Sequence, residues 1–183
     1  MKYWTKSILS IYKYLGRLSN ALDKVILDTG KGSNSLALMR TQTTYFQANK
    51  IIELMDRKRK TINLKVALEE GLCRLSKDDR RLLTLVFIDG VKSDLVAQLL
   101  GISLRTFFRK KVSAMDNLAN KLAKMGFTEK FFEEEYSKEP WMAPVYDECI
   151  NKKIEEDVML DDSIINRMMN RMSKVNLAYN TYL

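Results

Sequence analysis

Three helical runs laid end to end between Leu75 and Leu122 constrain this chain more than any other stretch: LSKDDRRLLTLVFIDGVKSDLVAQLLGISLRTFFRKKVSAMDNLANKL. A serine precedes each run: Ser76, Ser93 and Ser103. At an N-cap, a serine hydroxyl accepts from a backbone N–H that helix geometry otherwise leaves without a partner. The first run, Lys77 to Ile88, is expected to close at Gly90, where glycine takes the left-handed C-cap conformation. The second, Asp94 to Leu100, stops at Gly101, which turns the chain sharply at little steric cost. The third begins after Ser103 and extends to Met125. A short helix, a glycine-containing turn and a longer helix make a helix-turn-helix.

Laid out at about 100° per residue, the third run divides into two faces. Leu104, Phe107, Phe108, Val112, Ala114, Met115, Leu118, Ala119 and Leu122 occupy one arc of roughly 160°. Arg105, Thr106, Arg109, Lys110, Ser113, Asp116 and Asn117 occupy the other. The N-terminal half of the polar arc is basic and rich in hydrogen-bonding groups, and that end of a recognition helix enters the major groove. Arginine there pairs bidentately with guanine, and threonine meets a thymine methyl. The expected DNA contacts are Ser103, Arg105, Thr106, Arg109, Lys110 and Ser113, with Lys92 and Ser93 at the start of the second run. A single basic residue is as well explained by an ordinary solvated face. Arg105, Thr106, Arg109 and Lys110 grouped at the start of this helix favour contact.

The pattern LSxxxRRLLxLxFIxGxxxxxVAxLLGISxRT resembles the fourth region of bacterial sigma-70-type factors, the module that reads the −35 promoter element. It also resembles the stand-alone sigma-like regulators of phages and Firmicutes. The residues that carry the likeness are Leu75, Arg81, Leu82, Leu83, Leu85, Ile88, Gly90, Val96, Ala97, Leu100, Gly101, Ile102, Ser103, Thr106 and Ala114. The resemblance implies a DNA-reading head and allows RNA polymerase as a partner. Two positions depart from the family pattern. Phe108 stands where a polar or basic residue is usual, and is expected to pack on another part of the chain. Lys111 stands where an apolar residue is usual, and its stem is expected to run along the core edge with the ammonium in water.

Residues outside this stretch point to an all-α protein, a helical bundle around the sigma-like helix-turn-helix. There are only 7 Gly and 2 Pro in 183 residues, too few for a turn-rich β fold, and no alternating β-branched runs. Three regions are expected: a helical region over 1–66, the DNA-binding domain over 67–126, and an acidic, aromatic segment with a Met-rich end over 127–183. Net charge is +8, unevenly spread: residues 127–162 hold 12 acids against 4 bases. A basic body points to a polyanion partner, and the acidic segment to a role in tuning that binding or in contacting a basic protein surface.

The first run, Tyr3 to Asp28, places Trp4, Ile8, Ile11, Leu15, Leu18, Leu22 and Val25 at alternating spacings of four and three, an a/d seam. Such a seam packs on its own chain or on a second copy, and a homodimer on it would present two reading helices. Residues 29–36 read as a loop; their GKGS lacks phosphate-loop spacing. Helical character resumes over 37–60 and ends in the basic cluster DRKRK, which suits either a helix C-terminus or phosphate contact. A further helix over 61–75 is expected to turn Ile62, Val66, Leu68, Leu72 and Leu75 inward. No aromatic-rich melting motif is present, which argues against a complete sigma factor. Beyond Gly126, Phe131, Phe132, Tyr136, Trp141, Met142 and Tyr146 are too apolar for a disordered acidic tail, and are expected to fold back on the body, against Phe108. Over 163–176, Ile164, Ile165, Met168, Met169, Met172 and Val175 form an apolar stripe that suits core filling or a partner helix.

No enzyme chemistry is legible. Histidine is absent and the two cysteines, Cys73 and Cys149, have no ligand spacing, so no catalytic residue, metal or cofactor is expected. Neither a membrane span nor a small-molecule substrate is expected, and the lack of a cleavable leader pattern suggests a cytoplasmic protein. The function expected is a sequence-specific DNA-binding transcription regulator acting on double-stranded DNA. The alternative is a non-enzymatic adaptor whose sigma-like fold binds RNA or protein.

Overall fold

The computed structural model describes residues 3–32 and 44–151, all in helices and the turns between them. The helices are α1 (Tyr3–Gly32), α2 (Thr44–Cys73), α3 (Lys77–Leu83), α4 (Ser93–Leu99), α5 (Leu104–Lys124), α6 (Glu129–Glu135) and α7 (Ala143–Asn151). A turn of π-helix, Thr84–Ile88, continues α3 and is marked by Asp89 N–H donating to Thr84 O at 2.9 Å. The all-α expectation holds. The stripe over 163–176 and the second half of the loop over 29–36 lie outside the described residues. Positions 29–32 belong to α1 rather than to a loop.

α1 is the central element and packs against α2, α5, α7 and the π-turn. Its seam faces its own chain: Trp4, Ile8, Ile11, Leu18 and Leu22 are fully buried and Leu15 nearly so. Each such side chain contributes about 1.5–3 kcal/mol of hydrophobic stabilisation. A dimer built on this seam would have to strip these side chains from their own core. The burial also exceeds a seam. Every residue from Trp4 to Ile11 is buried, the polar Thr5, Lys6, Ser7 and Ser10 included.

α2 runs antiparallel to α1, with Lys58 Nζ on Asp23 Oδ1 at 2.6 Å and Tyr12 donating to Glu69 at 2.8 Å. It corrects the sequence reading in three ways. It is one helix through position 61, not two. The DRKRK cluster therefore sits in mid-helix, away from any C-terminus. And the inward face is Leu54, Thr61, Leu64, Leu68 and Leu72, whereas Ile62 and Val66 are 42% and 54% exposed. The inward residues lie within about 40° of one line at about 100° per residue, and Ile62 and Val66 lie about 120° or more away. Gly71 lies close against α5: a Cβ there would come within 2.9 Å of Leu122 and 3.1 Å of Leu118.

The acidic, aromatic segment folds back as expected, but onto the start of α1 instead of Phe108. Phe127 and Phe132 each stand 6.0 Å from Trp4, and Tyr136 stacks on Phe132. Pro140 lies in the turn between α6 and α7, and Pro144 in the first turn of α7, where a missing N–H costs no hydrogen bond. The acids meet the mid-helix basic cluster. Lys60 Nζ lies 3.0 Å from Glu139 and 3.4 Å from Glu135, and Arg57 lies 3.6 Å from Glu139. Arg59 is paired with Asp56 at 2.5 Å. The "basic protein surface" that the acidic segment contacts is thus this chain's own α2.

Burial lowers the Lys60 pKa, and the hydrogen bonds and charges of Glu139 and Glu135 outweigh it, so the net pKa stands above the ordinary lysine value. Burial, then the charge of Glu135, pushes the Tyr136 hydroxyl up to about 12. Burial, then the hydrogen bond to Glu69, does the same for Tyr12. All three groups have folded pKa values above their unfolded ones. The stabilisation is therefore complete below about pH 10 and is lost as pH rises above it, toward about 12 for the two tyrosines. Melting temperature followed from about pH 9 to 12 should fall steeply, and Tyr136→Phe should fall less steeply. Equal slopes for the two proteins would show that Tyr136 does not carry the effect.

Candidate nucleic-acid interface

The helix-turn-helix consists of α4, the turn Leu100–Ser103 and α5. The turn is built by local chemistry. Gly101 has φ +64°, its N–H donates to Gln98 O, and Ile102 N–H donates to Ala97 O, both at 3.0 Å. These two bonds form a Schellman motif, which needs a residue that tolerates positive φ at C′. Gly90 also has positive φ, +68°, where the first run was expected to close. Ser103 caps α5: its Oγ accepts from Thr106 N–H at 3.2 Å and lies 2.9 Å from Thr106 Oγ1. Ser76 caps α3 in the same way through Asp79 N–H. Ser93 is different. It is the first residue of α4, and Lys92 holds the N-cap position without a side-chain cap hydrogen bond of its own. The expected serine cap is one residue out of register.

α5 presents the two faces read from its sequence, with two changes within the apolar arc. Phe107, Ala114, Met115, Leu118, Ala119 and Leu122 are buried. Leu104 is 46% exposed, because the first residue of the helix projects past the core. Phe108 is half-buried and packs edge-to-face on Phe107 at 5.3 Å. Asn117 donates to Asp79 Oδ2 at 2.9 Å, which ties the middle of α5 to the start of α3.

Lys111 is the larger correction. It is 1% exposed, so its ammonium is not in water. The Nζ lies 5.5 Å from the centre of the Phe87 ring and 6.0 Å from that of Phe108. A cation held over aromatic faces recovers part of its lost hydration. The two departures from the family pattern are therefore one arrangement: Phe108 supplies a ring that Lys111 uses. Sequence periodicity placed Lys111 on the apolar arc, and that placement was the available signal.

The expected contact residues separate into a coherent group and its margin. Arg105, Arg109, Lys110 and Ser113 are exposed on the outer face of α5, with Ser103 exposed at its cap and Thr106 half-buried beside it. Lys92 is exposed and Ser93 half-buried at the start of α4. Among the described residues, Arg105, Arg109, Lys110 and Lys92 have no carboxylate partner, whereas Arg57, Lys58, Arg59 and Lys60 all do. The hydroxyl of Thr106 is engaged by the cap, which leaves its methyl for apolar contact. What the sequence reading missed is the exposure of three leucines in this stretch: Leu95 and Leu99 are 47% and 61% exposed on α4, and Leu104 is exposed at the start of α5. The i, i+4 spacing of Leu95 and Leu99 on α4 was the signal. No group of acids, Cys or His among the described residues is arranged to hold a metal, and no described helix is long and apolar enough to cross a membrane.

No protein-family profile, curated protein or solved structure matches this chain.

The Lys111 arrangement is testable by a double-mutant cycle on thermal stability. Phe108→Leu should destabilise the wild type more than it destabilises Lys111→Met, with a coupling of about 0.5–2 kcal/mol. Zero coupling would mean that the ring and the ammonium do not act together.

Proposed function

We propose that this chain is a sequence-specific DNA-binding transcription regulator, non-enzymatic and cytoplasmic, whose reading head is a sigma-like helix-turn-helix. The observation that carries this reading is the division of its positive charge. Arg57, Lys58, Arg59 and Lys60 of α2 are each paired with a carboxylate of the same chain. The cations at the start of α5 and at Lys92 are exposed and have no such partner among the described residues. Exposed cations beside a helix N-cap provide the phosphate contact and counterion release that drive DNA binding. Arg105 and Arg109 supply base readout, and Ser103, Lys110, Ser113, Lys92 and Ser93 position the head on the backbone. A single reading helix covers few base pairs, and two copies on adjacent half-sites double the sequence read. Because the α1 seam is internal, DNA and not that seam would bring the copies together.

Leu95, Leu99 and Leu104 favour a second element. Exposed leucines add little to DNA affinity but suit a protein partner. Within the leading reading that partner is RNA polymerase. Within the alternative, an interaction adaptor for protein or RNA, the leucines are the main surface and the cations its rim.

Selection from a random duplex pool separates these readings. An enriched sequence is expected, and Arg105→Ala and Arg109→Ala should each cost about 1–3 kcal/mol on it and much less on random duplex. Equal losses on both DNAs would make these arginines phosphate contacts. No enrichment and no duplex binding would leave the adaptor reading.

A further inference from the structure

α3 presents a basic face to which the helix-turn-helix gives no role. At about 100° per residue, Lys77, Arg80 and Arg81 fall within one arc of about 100°, and the buried Leu82 and Leu83 lie on the other side of the helix. All three cations are exposed, and none has a carboxylate partner among the described residues. The two acids of α3 do not neutralise them. Asp79 accepts from Asn117 of α5 at 2.9 Å, and Asp78 lies about 60° outside the basic arc. In α2, by contrast, Arg57, Lys58, Arg59 and Lys60 each have a carboxylate, and Arg74, the last base before α3, is paired with Glu70.

The Asp79–Asn117 hydrogen bond fixes where this face sits. Asn117 lies within about 60° of Lys110 and Ser113 around α5, so α3 joins α5 along the edge that carries those two residues. Along the axis of α5, Asn117 is about 12 Å from Arg109. One strand of a duplex advances about 3.4 Å per phosphate, so this offset corresponds to three or four phosphates of a single strand. Both groups of cations therefore reach one stretch of backbone. α3 is anchored by Leu82 and Leu83 and capped by Ser76, so its position is set before any ligand arrives. Preorganisation of that kind removes part of the ordering cost of binding.

We propose that Lys77, Arg80 and Arg81 form a second contact site, on the phosphate backbone beside the groove that α5 reads. It rests on the DNA-binding reading above. The test is a salt titration of binding by the full chain to a selected duplex and to random duplex. Arg80→Gln with Arg81→Gln should make the slope of log affinity against log salt shallower by about 1 to 2. It should weaken both duplexes by the same factor, roughly tenfold, because phosphate contacts carry no sequence information. Both arginines are exposed, so the melting temperature should stay near the wild-type value. Lys130→Gln with Lys138→Gln removes the same charge from the acidic segment and should leave the slope as in the wild type. An unchanged slope in the Arg80 and Arg81 variant, with duplex still bound by the wild type, would overturn the proposal and leave the DNA-binding reading standing. An equal loss in the Lys130 and Lys138 variant would reduce the effect to net charge and overturn it too. So would a loss confined to the selected duplex, which would make α3 a reader of bases. A wild type that binds neither duplex would remove the DNA-binding reading itself, and this site with it.

Discussion

The burial of the α1 seam against the rest of the chain is the constraint on which the other features depend. α2, α5, α7 and the π-turn all pack on this helix, and the aromatic segment closes over Trp4 in its first turn. Because α1 is occupied along its length, α2 is held antiparallel beside it by the Asp23 and Glu69 contacts, and one face of α2 is left outside. α5 in turn is seated where Gly71 allows α2 to approach Leu118 and Leu122. The direction in which the start of α5 points therefore follows from the packing of a helix some eighty residues earlier in the chain.

Electrostatics sort the basic residues into two uses. Lys58, Arg59 and Lys60 lie within hydrogen-bonding distance of carboxylates, and Lys60 joins α2 to the acidic segment through two of them. Such pairs contribute to placement more than to stability where they are exposed, and more to stability where they are shielded, as at Glu139. The net charge of the chain thus overstates the positive surface available to a polyanion. The cations without a carboxylate partner among the described residues include Lys92 and the group Arg105, Arg109 and Lys110 at the start of α5, and also Lys77, Arg80 and Arg81 on α3. Lys111 is buried with its ammonium near two rings, and belongs to the core.

The helix-turn-helix was legible because its signals are local. Serine caps at Ser76 and Ser103, positive φ at Gly90 and Gly101, and a two-faced pattern in α5 each arise within a few residues of the chain. The seam of α1 was legible for the same reason, though not what it packs against, since a/d spacing is identical for a partner and for the same chain. The inward face of α2 was misread at Ile62 and Val66 because apolar character alone does not say which of two stripes is buried; the position of α1 decides. The break expected at position 61 was invisible as an error, because nothing in DRKRKT favours or forbids continuing a helix. The depth of Lys111 was also unreadable. A lysine on an apolar arc snorkels or buries according to whether rings such as Phe87 and Phe108 close over it.

The central claim is that the cations of α5 contact a polyanion while those of α2 are structural. The most direct measurement is the salt dependence of duplex DNA binding, taken as the slope of log affinity against log salt for three proteins. Each phosphate contact contributes about 0.9 to that slope on duplex DNA. Replacing Arg109 and Lys110 by Gln should make the slope shallower by about 1 to 2, while replacing Lys58 and Arg59 by Gln should leave it unchanged. A slope that responds to Lys58 and Arg59 and not to Arg109 and Lys110 would contradict the account.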